Sequence, residues 1–254
     1  MKLLKAMAIA FSIYSKIPVP QFEWKEEDME YMMCFFPWIG GVIGLFFFGW
    51  AVLCEKFAVG NVCHALIGAA IPLMISGGFH VDGYMDTMDA FHSYQSREKK
   101  LEILKDSHIG AFAAIMLALY YMIDIAAISE IHTQKAVSAL AAVFFLARCF
   151  SGIAVMTLQP AKKEGLLYTF ASSAQKVRVK AALYFQAALC VVLMLLVSGW
   201  YGAAAIGAAL LSFFYFKKKS YKELGGITGD TAGFFVTVCE AAAAAAGAVA
   251  GYFL

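Results

Sequence analysis

The sequence predicts an all-α, polytopic membrane protein with about seven transmembrane helices and an N-terminal interfacial helix. Three observations carry this. The chain is 62% hydrophobic with a mean hydropathy of +0.72, against roughly 45–50% apolar residues in soluble domains. Its apolar residues gather in runs near the length of about 20 that a bilayer crossing needs. Its lysines and arginines fall almost wholly in alternate connecting segments, as the positive-inside rule expects. A formal net charge of only +2 argues against a nucleic-acid partner. No internal repeat is visible, so residues 1–254 read as one integral membrane domain.

Residues 1–16 resemble a signal peptide at first sight. Lys5 interrupts the apolar run, however, and Ile17-Pro18-Val19-Pro20 follows where a small-residue cleavage site would stand. On a helical wheel Lys2, Lys5, Ser12, Ser15 and Lys16 share one side, with Leu3, Leu4, Met7, Phe11 and Tyr14 on the rest. Such a helix lies in the membrane interface. Spans are expected at 33–53, 62–79, 109–128, 136–158, 181–198, 199–216 and 232–253. The fifth and sixth form one unbroken apolar run, which Ser198, Gly199 and Gly202 can turn into a hairpin. Pro37 is expected to kink the first span. Gly40 with Gly44, and Gly247 with Gly251, are expected to let helices approach closely.

With the N-terminus inside, one set of segments carries Lys2, Lys5, Lys16 and Lys25, then Arg97, Lys99, Lys100 and Lys105. Further along it carries Lys162, Lys163, Lys176, Arg178 and Lys180, then Lys217, Lys218, Lys219 and Lys222. The opposite loops carry only Lys56 and Lys135. Merging the fifth and sixth spans would move the Lys217 cluster outside and spoil this asymmetry. The expected protein is therefore multi-pass in the cell membrane, with N-terminus and polar site on the cytoplasmic side. The six cysteines show no metal-ligand spacing. Cys54 and Cys63 flank one loop and could pair if it is oxidised.

The long polar passage is 77–113. It places Asp82, Asp86 and Asp89 at i, i+4 and i+7, one face of a helix. Carboxylates so placed repel one another unless a cation sits among them. Mg²⁺ suits them, because it takes oxygen ligands and shares them with substrate phosphates. A solvated acidic face is the plainer alternative. Against it, apolar spans flank the passage, and Arg97, Lys99, Lys100 and Lys105 follow. Carboxylates beside cations compose a phosphoryl-transfer site. Asp106 is either a fourth metal ligand or, with Ser107, a helix cap. Thr228, Gly229 and Asp230 form a glycine-rich turn before the last span, where helix N–H groups bind phosphate.

The run 77–90, GGFHVDGYMDTMDA, followed by 97–112, REKKLEILKDSHIGAF, resembles the cobalamin-5′-phosphate synthase family, also named adenosylcobinamide-GDP ribazoletransferase. The likeness extends to SKIPVP at 15–20 and GGITGDTAG at 225–233. Two positions depart from the family pattern: Ala90 stands where glycine is usual, and His108 where arginine is usual. The resemblance implies that adenosylcobinamide-GDP reacts with α-ribazole or its 5′-phosphate. The products are adenosylcobalamin or its phosphate, and GMP. It implies Asp82, Asp86 and Asp89 as catalytic and metal residues, with Lys105, Thr228, Gly229 and Asp230 toward the substrate. Mg²⁺ is the expected cofactor, the lipid bilayer the surrounding partner, and a homo-oligomer is left open.

Arg148 lies inside the fourth span. A cation there is costly to bury, and it is read as a substrate contact ahead of a pairing with Asp124. His80, at a span end, is expected to hydrogen-bond at the interface ahead of any part in the site. His64, His92 and His132 give no signal, and Lys217–Lys219 suits anionic lipid. Two rivals remain. A CDP-alcohol phosphotransferase also holds a nucleotide diphosphate through aspartates, but its aspartate motif is longer. A transporter would place its carboxylates nearer the bilayer midplane and show repeats or matched broken helices.

Overall fold

A computed structural model describes residues 2–20, 23–162 and 165–253. The readings for Met1 and Lys163 fall outside them. The chain folds into α1 (Lys2–Tyr14), α2 (Phe36–Lys56), α3 (Asn61–Ser76), α4 (Phe79–His92), α5 (Arg97–Ile103) and α6 (Ala111–Ile128). It continues with α7 (Gln134–Thr157), α8 (Leu166–Ser173), α9 (Lys176–Ser198), α10 (Trp200–Leu224) and α11 (Gly229–Gly251). Two short 3₁₀ turns link α1 to α2. No strand forms among the described residues, whose one extended contact is a bridge between Pro160 and Ile227. The molecule is an all-α polytopic membrane protein.

Five or six of the about seven expected spans are met by length and composition alone. α2, α6, α7, α9 and α11 are long and apolar enough to cross a bilayer, and α3 with α4 qualifies as a bent pair. α10 has the length, at 25 residues, but its Trp200, tyrosines, glycines and terminal lysines make it less apolar than those five. The hairpin expected at 198–202 is present: Gly202 lies directly against the Met194 carbonyl, so α9 and α10 pack backbone to backbone. α7 and α11 form the centre, with 78% and 72% of their apolar windows buried, while α6 and α9 at 22% and 28% face outward.

The break between α3 and α4 decides where the polar passage goes. Gly77 and Gly78 both take positive φ, at 66° and 84°, where a side chain would be strained. They turn α4 by 97° from the α3 axis. α4 therefore leaves the line of the span and lies across the cleft end of the bundle. Pro37 starts α2 and does not kink it, because at the first turn of a helix its missing N–H costs nothing. Gly40 and Gly44 meet the Phe144 and Ala141 carbonyls of α7 as expected, whereas Gly247 and Gly251 make no such approach.

α1 keeps Leu3, Leu4 and Met7 exposed and buries Ala6, Ile9, Ala10 and Tyr14, which fits a helix in the interface that is also docked on the bundle. Lys5 holds Asp28 at 3.2 Å. Cys54 is buried, Cys63 is exposed, and both are free.

Candidate functional site

α4 and α11 cross at two glycines, and that crossing builds the site. A Cβ on Gly83 would stand 2.9 Å from the Asp230 carbonyl, and one on Gly233 would stand 3.1 Å from the His80 carbonyl. Thr237 Oγ1 donates to the same His80 carbonyl at 3.2 Å and locks the pair. The Asp82–Asp89 helix and the start of α11 are thereby brought together across well over a hundred residues of chain.

Between them opens a cleft of about 430 Å³. Its polar part is formed by Asp82, Asp230, Thr228, Gly229, Lys105 and Lys162. The rest of its wall is apolar and aromatic, with Tyr14 from α1, Phe36 from α2, Phe79 from α4 and Phe170 from α8. Local structure fixes the α11 edge. Thr228 caps the helix, accepting from the Thr231 N–H at 3.1 Å, while the Thr228 N–H donates to Thr231 Oγ1 at 2.8 Å. The Thr228 hydroxyl also reaches Asp230 Oδ2 at 3.3 Å. Gly229 faces open space, so the first N–H groups of a 23-residue helix border the cleft. Such a helix start favours an anion. Lys162 is close enough to Asp230 to feel its charge.

Asp86 sits one turn beyond Asp82 on α4. Burial pushes its carboxyl up to about 7, and the charges of Asp82, Asp230 and Asp89 push the same way. Burial is the larger cause; the like charges that add to it are where a cation is favoured. Among the described residues, no three acidic, histidine or cysteine side chains stand close enough to hold an ion by themselves. Mg²⁺ does not require three. It keeps several waters and is bound by one or two carboxylates together with substrate phosphates. On charge and donor chemistry Asp82, Asp86 and Asp230 fit such an ion.

The other expected site residues are placed differently. Asp89 points at the start of α6: its two oxygens accept from the Gly110 N–H at 2.7 Å and the Ala113 N–H at 2.8 Å. It caps α6, the task considered for Asp106. Asp106 itself is exposed and outside the cleft, bonded to His108 through Nδ1 at 2.6 Å and through N–H at 3.0 Å. His108 holds the Asp106 carboxyl below its ordinary range. The departure from arginine at this position therefore lies on the surface, and Asp106 is withdrawn as a ligand.

Arg148 is corrected too. It is 1% exposed and bonds Glu240 Oε1 on α11 and the Phe144 carbonyl, both at 2.7 Å. It does not line the cleft, and its partner is not Asp124. An intramembrane cation is stabilised by a carboxylate on whichever helix packs against it, and here that is α11. Glu240, the one acid within the α11 interior, was the available signal. His80 moves the other way. It is buried, lines the cleft and has no partner on either ring nitrogen among the described residues.

Fold and site together define an all-helical, multi-pass membrane protein with an acidic cleft, edged by lysines and a helix start, at one end of its bundle. The sequence model of the family described as cobalamin-5-phosphate synthase matches residues 6–248, and the chain belongs to that family. It is 44% identical over 240 residues to the adenosylcobinamide-GDP ribazoletransferase of Lachnoclostridium phytofermentans, covering 94% of this chain and 92% of that one. It is 34% identical over 242 residues to a protein of the same name from Clostridium botulinum strain Eklund 17B, covering 94% of each. No solved structure matches.

Proposed function

We propose that the chain is an adenosylcobinamide-GDP ribazoletransferase, joining adenosylcobinamide-GDP to α-ribazole or its 5′-phosphate and releasing GMP. The observation that carries this is the crossing of α4 and α11, which sets Asp82 and Asp230 on one cleft with Lys105 and Lys162. Diphosphate chemistry needs that composition: carboxylates for a divalent ion, and cations and helix N–H groups for phosphate oxygens.

The reaction runs as a displacement at phosphorus. A ribose hydroxyl oxygen of the nucleoside bonds to the phosphorus that carries cobinamide. The bond from that phosphorus to GMP breaks, and GMP leaves with the electron pair. One of the cleft aspartates takes the hydroxyl proton. Lys105, Lys162 and the start of α11 hold the diphosphate. Asp82 and Asp230, with Asp86 one turn away, would hold Mg²⁺, which neutralises phosphate charge when bound. Asp89 is a positioning residue, fixing α6 against α4.

The membrane is the cell membrane in this proposal, with the cleft end cytoplasmic. Support comes from the basic residues gathered at that end. Lys16 lies against Gly77, Arg97 against Gly225, Lys162 donates to the Leu101 carbonyl, and Lys100 pairs with Glu223. The test is GMP release by the purified full chain given both substrates and Mg²⁺. Release dependent on the nucleoside supports the proposal. Movement of substrate across a vesicle membrane without GMP would contradict it in favour of transport.

A further inference from the structure

The polar part of the cleft accounts for phosphates and leaves the aromatic chamber beside it without a task. Tyr14, Phe36 and Phe79 close around His80 there, with Phe170 against Tyr14. The His80 ring lies 6.1 Å from that of Tyr14, nearly parallel at 8°, and 5.7 Å from those of Phe36 and Phe79. Tyr14 stands 4.5 Å from Phe36 and 6.3 Å from Phe170. Four elements distant in sequence, α1, α2, α4 and α8, thus contribute rings to one space. His80 is only 5% exposed, yet neither of its ring nitrogens has a partner among the described residues. A buried polar group left unpaired is costly, so such a group in a cleft wall marks a ligand contact. Ser151, another hydroxyl of that wall, is turned to the Ala232 carbonyl at 3.5 Å.

We propose that this chamber is the base subsite for the incoming nucleoside, with His80 as its specificity-determining hydrogen-bond partner. The inference rests on the transferase reading of the same cleft. The chamber suits a flat aromatic ring system with a hydrocarbon rim and a single free ring nitrogen, which is the pattern of a benzimidazole such as that of α-ribazole. Neutral imidazole has one N–H to donate, matching that one acceptor. Stacked aromatic walls hold the rest of the ring. Guanine, with several donors and acceptors on its edge, would leave most of them unpaired in this chamber. The base so seated belongs to the nucleophile and not to the leaving GMP. His80 lies two residues before Asp82, so base recognition and the reacting centre share one rigid helix.

The test is equilibrium binding by the purified full chain, using calorimetry. α-Ribazole is compared with its indole counterpart, in which the free ring nitrogen is a C–H. The wild-type protein should bind α-ribazole at least about tenfold more tightly than the indole analogue. His80→Phe, which keeps an aromatic ring, should bring the ratio within about twofold of one. His80→Gln, which keeps a donor, should retain part of the preference. Affinity for adenosylcobinamide-GDP should stay within about twofold in both variants. Equal binding of the two nucleosides by wild-type protein would overturn the proposal and needs no variant to fold. So would a preserved preference in His80→Phe, or a loss that falls on adenosylcobinamide-GDP. GMP release is measured alongside. Selective α-ribazole binding without GMP release would sink the transferase reading and leave the subsite standing; release without discrimination between bases would do the reverse.

Discussion

Two groups of ionisable side chains meet on α11, one shared with α7 and one with α4, and they are balanced in opposite ways. Deep in the bundle, Arg148 and Glu240 meet at 2.7 Å with side-chain exposures of 1% and 8%. Their charges cancel within the fold, and the Phe144 carbonyl takes a further guanidinium N–H. At the cleft end, Asp82, Asp86, Asp89 and Asp230 stand close enough to act on one another. Among the described residues, only part of that charge is answered internally. Asp89 is satisfied by two backbone N–H groups, and Asp230 is eased by Thr228 and Lys162. What is neutralised inside the protein holds helices together; what is left over waits for a ligand. Both groups look equally anomalous in an apolar sequence, so the distinction lies in partners and not in burial.

The largest expected effect is on the uncompensated side. Asp82→Asn and Asp86→Asn should each lower GMP release by roughly a thousandfold or more, since a carboxamide brings no charge to a diphosphate site. Thermal unfolding in detergent should stay near wild type. Near-normal turnover in both variants would return these residues to a solvated helix face.

On the compensated side the effect should move to stability. Arg148→Met leaves Glu240 buried and alone, which costs about 3–5 kcal/mol. Arg148→Met combined with Glu240→Leu should recover most of that loss. If Arg148→Met instead folds normally and weakens substrate binding, the contrast between the two groups collapses.

Asp89→Asn divides the cluster further. Losing charge at the α6 cap should cost about 1–2 kcal/mol in unfolding experiments. The folded fraction should keep most of its turnover. A thousandfold loss of activity at unchanged stability would place Asp89 with Asp82 and Asp86.

The smallest effect is on pH. The Asp86 carboxyl lies at about 7 in the folded chain against an ordinary 3.8. The folded state therefore binds more protons than the unfolded state between these values, so stability falls as pH rises through that window and levels off above about 7. Mg²⁺ should restore it most above pH 7. A melting-temperature series with and without Mg²⁺ checks this, and Asp86→Asn should flatten it. An unchanged slope in that variant would show that the cluster does not strain Asp86.

The helix carrying the three aspartates was legible, because i, i+4 and i+7 spacing is a local property of α4. Its separation from the preceding span was not: the expected span ran through Gly77-Gly78 to residue 79, whereas α3 ends at Ser76 and the chain turns there by 97°. The meeting of α4 with α11 was foreseeable only as residence at one end of the bundle. Its actual cause is the fit of Gly83 and Gly233 at a helix crossing, and a crossing register is not written in either segment alone. For the same reason Arg148 was assigned a substrate, because Glu240 becomes its partner only once α7 and α11 are packed. α8 lay in a polar loop of the sequence, so its Leu167 and Phe170 could not be counted as cleft wall. His80 gave a weak local signal, and only the ring cluster around it shows both nitrogens without partners.

The central claim is that α4 and the start of α11 make one site, and a double-mutant cycle tests it most directly. Asp86→Ala, Asp230→Ala and the combined variant would be compared by GMP release at saturating Mg²⁺. Side chains that act as a unit give strongly non-additive losses. The account predicts a combined variant little worse than the more damaging single change. Rate losses that multiply in full would contradict it, leaving Asp230 as part of the α11 start alone and the site confined to α4.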